Sequence, residues 1–221
     1  THSHADHITD LPFIIETFFE NREIPLTIYA LEETIEVLKK HSFNDVIWPD
    51  FTKIKLLRKD AFSLILKPIK LDEIIKIHNY SIKAIKANHI SGACGFVIKK
   101  NHQGFVISGD THINPHIWEE INNDEEIRSL IIECSYPDKL QELAKLTKHL
   151  TPELIANELE KLTRKNLSVF YYHLKPSYNK ELLKDIKKHK LLSYKGKILK
   201  EGDVIHIETG NIETTVLSEH K

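Results

Sequence analysis

The chain has 221 residues, with 31 Lys and Arg against 32 Asp and Glu and a formal net charge of −1. That length fits a single domain over residues 1–221 with a real core, and the charge balance argues against a basic footprint for nucleic acid. No apolar run reaches the length of a membrane span and no signal peptide is visible. Cys94 and Cys134 make no disulfide framework; each reads as a small buried hydrophobe inside a strand, in a reducing, cytoplasmic setting.

The chain opens on Thr1-His2-Ser3-His4-Ala5-Asp6-His7, an H-x-H-x-D-H cluster with only small residues between its donors. Imidazole and carboxylate at this density suit zinc or a similar divalent ion. Ile8 to Ile15 reads as a loop feeding a helix, with Asp10 as N-cap and Pro12 in the first turn. The helix runs from Leu11 to Asn21 with Phe13, Ile14 and Phe18 on its apolar stripe. Ile24–Tyr29 reads as a strand, Leu31–His41 as a helix, and Phe43–Phe51 as a polar-aromatic insertion broken at Pro49. In that insertion Phe43, Trp48 and Phe51 suit either a purine stack or, more commonly, a buried lid or subunit contact.

From Ile54 to His89 the pattern turns to β, with runs at Phe62–Leu66, Ile74–Ile77 and Ser81–Ala87. Gly95–Ile98 and Gly104–Ser108 flank Lys99–Gln103 as a hairpin. A helix at Pro115–Asn122 and a buried strand at Ser129–Cys134 follow. The second half alternates: helix Leu140–His149, a helix capped by Thr151 with Pro152 at its first position and running to Leu162, strand Leu167–Tyr172, and a surface helix Tyr178–Lys188. Two short β runs, around Gly202-Asp203 and Gly210-Asn211, complete a layered α/β pattern.

A two-metal site needs more ligands than the first cluster supplies. His89, Asp110 and His173 each close a predicted strand, where loops converge on one rim. H-x-H-x-D-H followed by these three resembles the signature of the metallo-β-lactamase fold. The likeness narrows at Phe43–Phe51, Ile131–Pro137, Lys148–Leu154 and Tyr172–Pro176, where the chain is similar to the class II 3′,5′-cyclic-nucleotide phosphodiesterases.

The resemblance implies an αββα four-layer sandwich whose N-terminal strands are absent from this chain. The chain is then expected not to be self-sufficient, its first sheet completed by a homodimer partner or a separate N-terminal fragment. Carried over residue by residue, His2, His4 and His89 hold the first metal and Asp6, His7 and His173 the second. Asp110 bridges them, and Asp6 counts among the catalytic residues as well as the ligands. The implied cofactors are two divalent ions, Zn2+ first, with Mn2+ and Fe2+ as alternatives. The implied reaction is hydrolysis of the 3′ ester of cAMP or cGMP to the 5′-nucleotide.

In the related tRNA 3′-end endonucleases a His at the place of His149, held by a Glu at the place of Glu133, assists the leaving oxygen. His149 and Glu133 are therefore expected to act as acid and orienting carboxylate. The alternative for His149 is a cation at a helix C-terminus. Gly109-Asp110-Thr111 is followed by His112 where the family pattern has glycine, and His112 is read as supporting or exposed. Lys175 and Tyr178, beyond His173, stand where phosphate or base could be met, though a structural use is the simpler reading. Two other functions stay open: an RNase Z-like tRNA-processing endonuclease, which needs a basic exosite, and a non-catalytic subunit that keeps the fold.

Overall fold

The computed structural model describes residues 1–17, 19–164 and 166–206, and the backbone of 211–214. The chain forms two compact units, one of Thr1–Glu73 with Ile90–Cys94, the other of Ile74–His89 with Gly95–Lys221.

In the first unit, Ala5–Ile8 forms a turn of helix (α1), so that Ile8, expected to begin a loop, is helical. Asp6 lies in its first turn, where a carboxylate meets free N–H groups, and the Thr9 hydroxyl donates to the Ala5 carbonyl at 2.6 Å. Helix α2 (Leu11–Thr17) buries Ile15 and stops short of the expected Asn21; Phe18 lies outside the described residues. Strand β1 (Leu26–Leu31) begins later than its apolar run and pairs in parallel with β2 (Leu64–Ile69). Between them, α3 (Glu32–His41) buries Ile35 and Leu38 at helical spacing.

Phe43 and Phe51 are buried with Ile15, Leu38 and Leu64, their rings edge-on at 5.8 Å. Trp48 packs against that cluster and meets the Phe13 ring edge-on at 5.2 Å. Phe43 and Phe51 are thus spent on the core of this unit, which leaves them unavailable for stacking on a base. What α3 contributes to the metal motif is an anchor. The Thr34 hydroxyl donates to Gly92 O at 3.0 Å, and two residues on, Cys94 N donates to Thr1 O at 3.0 Å. Gly92 must be glycine: its φ is +78°, and a Cβ there would stand 2.9 Å from that of Glu33.

The second unit is built on a six-stranded mixed sheet. Its strands are β3 (Ile74–Ile77), β4 (Tyr80–Lys86), β5 (Cys94–Lys100), β6 (Gln103–Ile107), β7 (Ile127–Glu133) and β8 (Ser168–Tyr172), neighbours in chain order. β3–β4 and β5–β6 are antiparallel; β6–β7 and β7–β8 are parallel. The parallel pairs are joined by crossovers: α4 (Pro115–Asn123) after β6, then α5 (Gln141–Thr147) and α6 (Pro152–Leu159) after β7. Parallel pairing brings the C-terminal ends of β6, β7 and β8 to one rim.

The core packs Val97, Val106, Leu130, Ile132 and Tyr171 of the sheet with Ile117, Trp118 and Ile121 of α4, Ile155 and Leu159 of α6, and Leu182 and Ile186 of α7 (Asn179–Lys188). Thr151 caps α6 through Leu154 N, as its Thr-Pro start predicts. Cys94 and Cys134 are buried, the second one residue past its strand, and burial pushes the Cys94 thiol up to about 11.

The β5–β6 hairpin is tighter than the five-residue connection expected. Lys100 pairs with Gln103, leaving only Asn101 and His102, both at positive φ (+50° and +60°). That is the twist-matched two-residue turn, which favours Asn-Gly. His102→Gly should raise thermal stability by about 0.5–1 kcal/mol, by relieving a left-handed conformation at a non-glycine. A lowered melting midpoint would show that the His102–Glu126 contact at 2.7 Å outweighs the backbone term.

Beyond α7 the chain returns along the free edge of β8. Val169 N donates to Tyr194 O, Tyr171 N to Lys197 O, and Leu199 N to Tyr171 O, at 3.2, 3.0 and 2.8 Å. The covered edge no longer offers these backbone groups to another chain. Gly196 allows the approach, since a Cβ there would lie 1.6 Å from Val169 O. The two tail runs are strands β9 (Asp203–His206) and β10 (Asn211–Thr214), antiparallel.

Asp138 joins three elements beside the crossover. Its Oδ1 accepts from Glu153 N at 2.9 Å, at the start of α6. Its Oδ2 accepts from His189 Nε2 at 2.6 Å and Lys188 Nζ at 3.2 Å, at the end of α7. Burial pushes this carboxyl up, but the bonds from His189, the Glu153 amide and Lys188 outweigh it and hold it below its ordinary value. The stability it contributes is present above the ordinary carboxylate range and lost as pH falls through the depressed value. Asp138→Ala should cost about 2–3 kcal/mol at neutral pH. Acid melts should show that deficit shrinking below about pH 4.

Candidate metal centre

The opening motif folds its imidazoles together. The His2 ring lies 4.6 Å from that of His4 and 4.1 Å from that of His7, centroid to centroid. His2 is buried while His4 and Asp6 are exposed, so the cluster has an inner and an open side. Thr1 Oγ1 stands 3.2 Å from His2 Nδ1 and 3.4 Å from His7 Nδ1. Asp6 Oδ2 is 4.0 Å from His7 Nε2. The geometry follows from the local fold: His2 adjoins Thr1, whose O is held by Cys94 N, His4 is the N-cap of α1 in an extended conformation, and Asp6 and His7 lie on α1.

The second unit supplies another set on its strand-end rim. Asp110 follows β6 through Ser108-Gly109, Glu133 ends β7, and His173 follows β8 at φ +60°, an uncommon conformation for a non-glycine. His149 lies in the turn between α5 and α6. His89 follows β4 and is tied to the Asp110 loop, where Asn88 N donates to Thr111 Oγ1 and His112 N to Asn88 O, at 2.9 and 3.0 Å. One donor atom each from His89, Asp110 and His149 lies within 4.8 Å of the others, and so does one each from Glu133, His149 and His173.

The spacing suits an ion. Asp110 is 2% exposed, and its Oδ2 stands 3.4 Å from His173 Nε2 and 3.9 Å from His149 Nδ1. Both exceed an ordinary N–H···O bond. Two donors on one tetrahedral ion, each about 2.0–2.1 Å from it, stand about 3.3 Å apart. The His89 ring faces Lys148 O with Nδ1, at 3.1 Å, a contact that requires the N–H there and leaves the lone pair on Nε2. Chemistry and spacing both fit a divalent metal.

His149 is held differently. Its Nδ1 lies 2.9 Å from Glu133 Oε1 and 3.1 Å from Oε2, both side chains buried. Burial lowers the affinity of His149 for a proton, but the hydrogen bond and charge of Glu133, with Asp110 behind it, outweigh that and raise its pKa; Lys175 opposes. Thr111 N and Leu150 N also donate to the Glu133 carboxylate, at 2.6 and 3.3 Å. The helix-end alternative for His149 misses this contact: its ring is fixed by a carboxylate two elements away. His112 is half-buried, its Nδ1 2.9 Å from His149 O, which makes it a support for the His149 backbone. The Tyr136 ring lies 5.7 Å from that of His149 and 6.0 Å from that of Tyr178.

Sequence reading missed Ser135. It is fully buried, with Oγ 2.5 Å from Glu133 Oε2 and 2.9 Å from His173 Nδ1. The available signal was its place two residues after Glu133 at the end of the predicted strand, the spacing at which strand side chains share a face.

The family model of the β-lactamase superfamily domain matches residues 1–172. The chain belongs to that superfamily. Its fold is the metallo-β-lactamase α/β fold, which implies divalent metal ions. This metallo-β-lactamase-fold chain is 27% identical over 209 residues to a probable 3′,5′-cyclic-nucleotide phosphodiesterase of Yersinia pestis, covering 80% of this chain and 56% of that protein. It is 29% identical over 187 residues to 3′,5′-cyclic-nucleotide phosphodiesterase 1 of Saccharomyces cerevisiae, covering 73% and 49%. The crystal structure of unliganded yeast PDE1 superposes with a TM-score of 0.75 at 25% identity, over 91% of this chain and 65% of that one. The chain therefore spans about half the length of the curated relatives it matches. Among the described residues no helix is long and apolar enough to cross a membrane.

Proposed function

We propose that this chain carries the catalytic residues of a dinuclear metal phosphodiesterase that hydrolyses the 3′ ester of 3′,5′-cyclic nucleotides to 5′-nucleotides. The observation that carries the reading is the buried His149–Glu133 pair on the same rim as Asp110 and His173. The names of the two curated relatives point to the same substrate. In this reading His2, His4 and His89 hold one ion, Asp6, His7 and His173 the other, and Asp110 bridges them. The assignment follows the order of donors in the family pattern and is supported by the clustering inside each unit. Zinc is the favoured ion for a set dominated by imidazole.

Two such ions, when bound, lower the pKa of water and screen negative charge at phosphorus. The remaining work falls to the chain. Glu133 holds His149 by Nδ1, so that Nε2 is free to deliver a proton to the departing 3′-oxygen. Asp110 and the histidines would hold the ions, and their fixed places would set where the phosphoryl group is presented to His149. The Tyr136 ring stands beside His149, with the Tyr178 ring next to that of Tyr136, an aromatic pair placed to flank a nucleoside.

Hydrolysis of cAMP and cGMP by the zinc-loaded protein tests the reading, beside His4→Ala and a 3′-extended tRNA. Formation of 5′-nucleotide that disappears in the His4→Ala protein is the expected result. Metal bound without cyclic-nucleotide turnover would sink the proposal, and cleavage of the tRNA in its place would assign the endonuclease reaction instead.

A further inference from the structure

We infer that Ser135 is a positioning residue that sets the tautomer and orientation of His173, and that it does so by connecting His173 to Glu133, the carboxylate that also holds His149. This rests on the reading above that His173 is a metal ligand.

The argument is one of counting protons. Glu133 is acceptor-only as a carboxylate, and Ser135 Oγ lies 2.5 Å from its Oε2. Two oxygens that close need a proton between them, and the hydroxyl has one to give. Having donated it to Glu133, Ser135 Oγ can only accept from His173 Nδ1, 2.9 Å away. His173 then carries its proton on Nδ1 and presents the lone pair of Nε2, the atom that stands 3.4 Å from Asp110 Oδ2. A ligating histidine needs that arrangement, and a hydrogen bond on the other ring nitrogen is what secures it.

Glu133 thereby serves two imidazoles, His149 directly and His173 through Ser135, whose Oγ is also 3.4 Å from His149 Nδ1. The two rings lie nearly parallel, at 19°, with centroids 5.5 Å apart. Local structure makes this work. Glu133 ends β7 and Ser135 follows two residues on, and Cys134 N between them donates to Tyr172 O at 2.9 Å, holding that end against the end of β8. The residue before His173 is thus tied to the residue before Ser135. A side chain without a hydroxyl at 135 would leave both His173 Nδ1 and one face of Glu133 without this contact.

The experiment reads tautomer and metal affinity. In zinc-free protein, nitrogen-15 spectra of the imidazoles, with His173 assigned by its loss in His173→Gln, should show the proton on Nδ1. Ser135→Ala should lose that signature and weaken zinc binding, measured by chelator competition, by about 10–100-fold. Ser135→Thr, which keeps the hydroxyl, should retain both. A wild-type spectrum with the proton on Nε2 would overturn the inference, and this readout stands even if Ser135→Ala fails to fold. So would a folded Ser135→Ala protein that binds zinc as tightly as wild type. A wild-type chain that binds no zinc at all would defeat the metal reading instead, leaving the tautomer result to judge the Ser135 contact by itself.

Discussion

His149→Ala is expected to keep its zinc and to lose about 10^2- to 10^4-fold in kcat on cyclic nucleotides, the range for a positioned general acid. Zinc should stay because the donors assigned to it lie elsewhere: His149 turns Nδ1 to Glu133 at 2.9 Å and belongs to a turn between helices. The pH profile carries a second check. An acid must be protonated to act, so activity falls as pH rises through its pKa, and Glu133 raises that pKa against the cost of burial. Glu133→Gln removes the negative charge and should move the alkaline limb to lower pH. A substrate with a leaving group that needs no proton should narrow the gap between His149→Ala and wild type. An equal loss on both substrates would mean that the ring positions other groups without donating a proton.

Asp110→Asn should bind zinc more than 100-fold more weakly than wild type, a larger loss than the roughly 10–100-fold typical of groups behind the ligands. Turnover should fall with it. The substitution keeps the shape of a side chain that is 2% exposed and removes its charge from a place where it faces His173 Nε2 and His149 Nδ1. Chelator competition and metal content per chain measure the effect directly. Full zinc content in a folded Asp110→Asn protein would remove Asp110 from the ligand set. Melting the zinc-free proteins separates metal loss from fold loss, since a carboxylate buried among imidazoles without an ion is itself a burden on the fold.

Much of this was legible in the chain. H-x-H-x-D-H pointed to a metal because few other uses crowd three imidazoles and a carboxylate into six positions, and the fold implies divalent ions. Strand ends could be found because apolar β runs stop sharply at His89, Asp110 and His173. Thr151-Pro152 announced a helix start and gave one. Boundaries were less legible: Ala5–Ile8 is helical although Ile8 was expected to begin a loop, and α2 ends at Thr17 although the apolar pattern continues. The two-residue turn at Asn101-His102 was hidden because its second position carries His where such turns favour Gly, so that the register Lys100 to Gln103 reveals it and the dipeptide does not.

The sequence by itself determined which candidate donors the chain carries, their order along it and the alternation of helix and strand, because those rest on residue type and on contacts within a few positions. Only the tertiary structure decided which neighbours each donor has. That Ser135 lies between Glu133 and His173, that Asp138 joins α6 to α7, and that residues 194–199 cover the edge of β8 all depend on pairings between residues far apart in the chain. The register of parallel strands is set by the packing of both sheet faces, and no spacing along one strand encodes it.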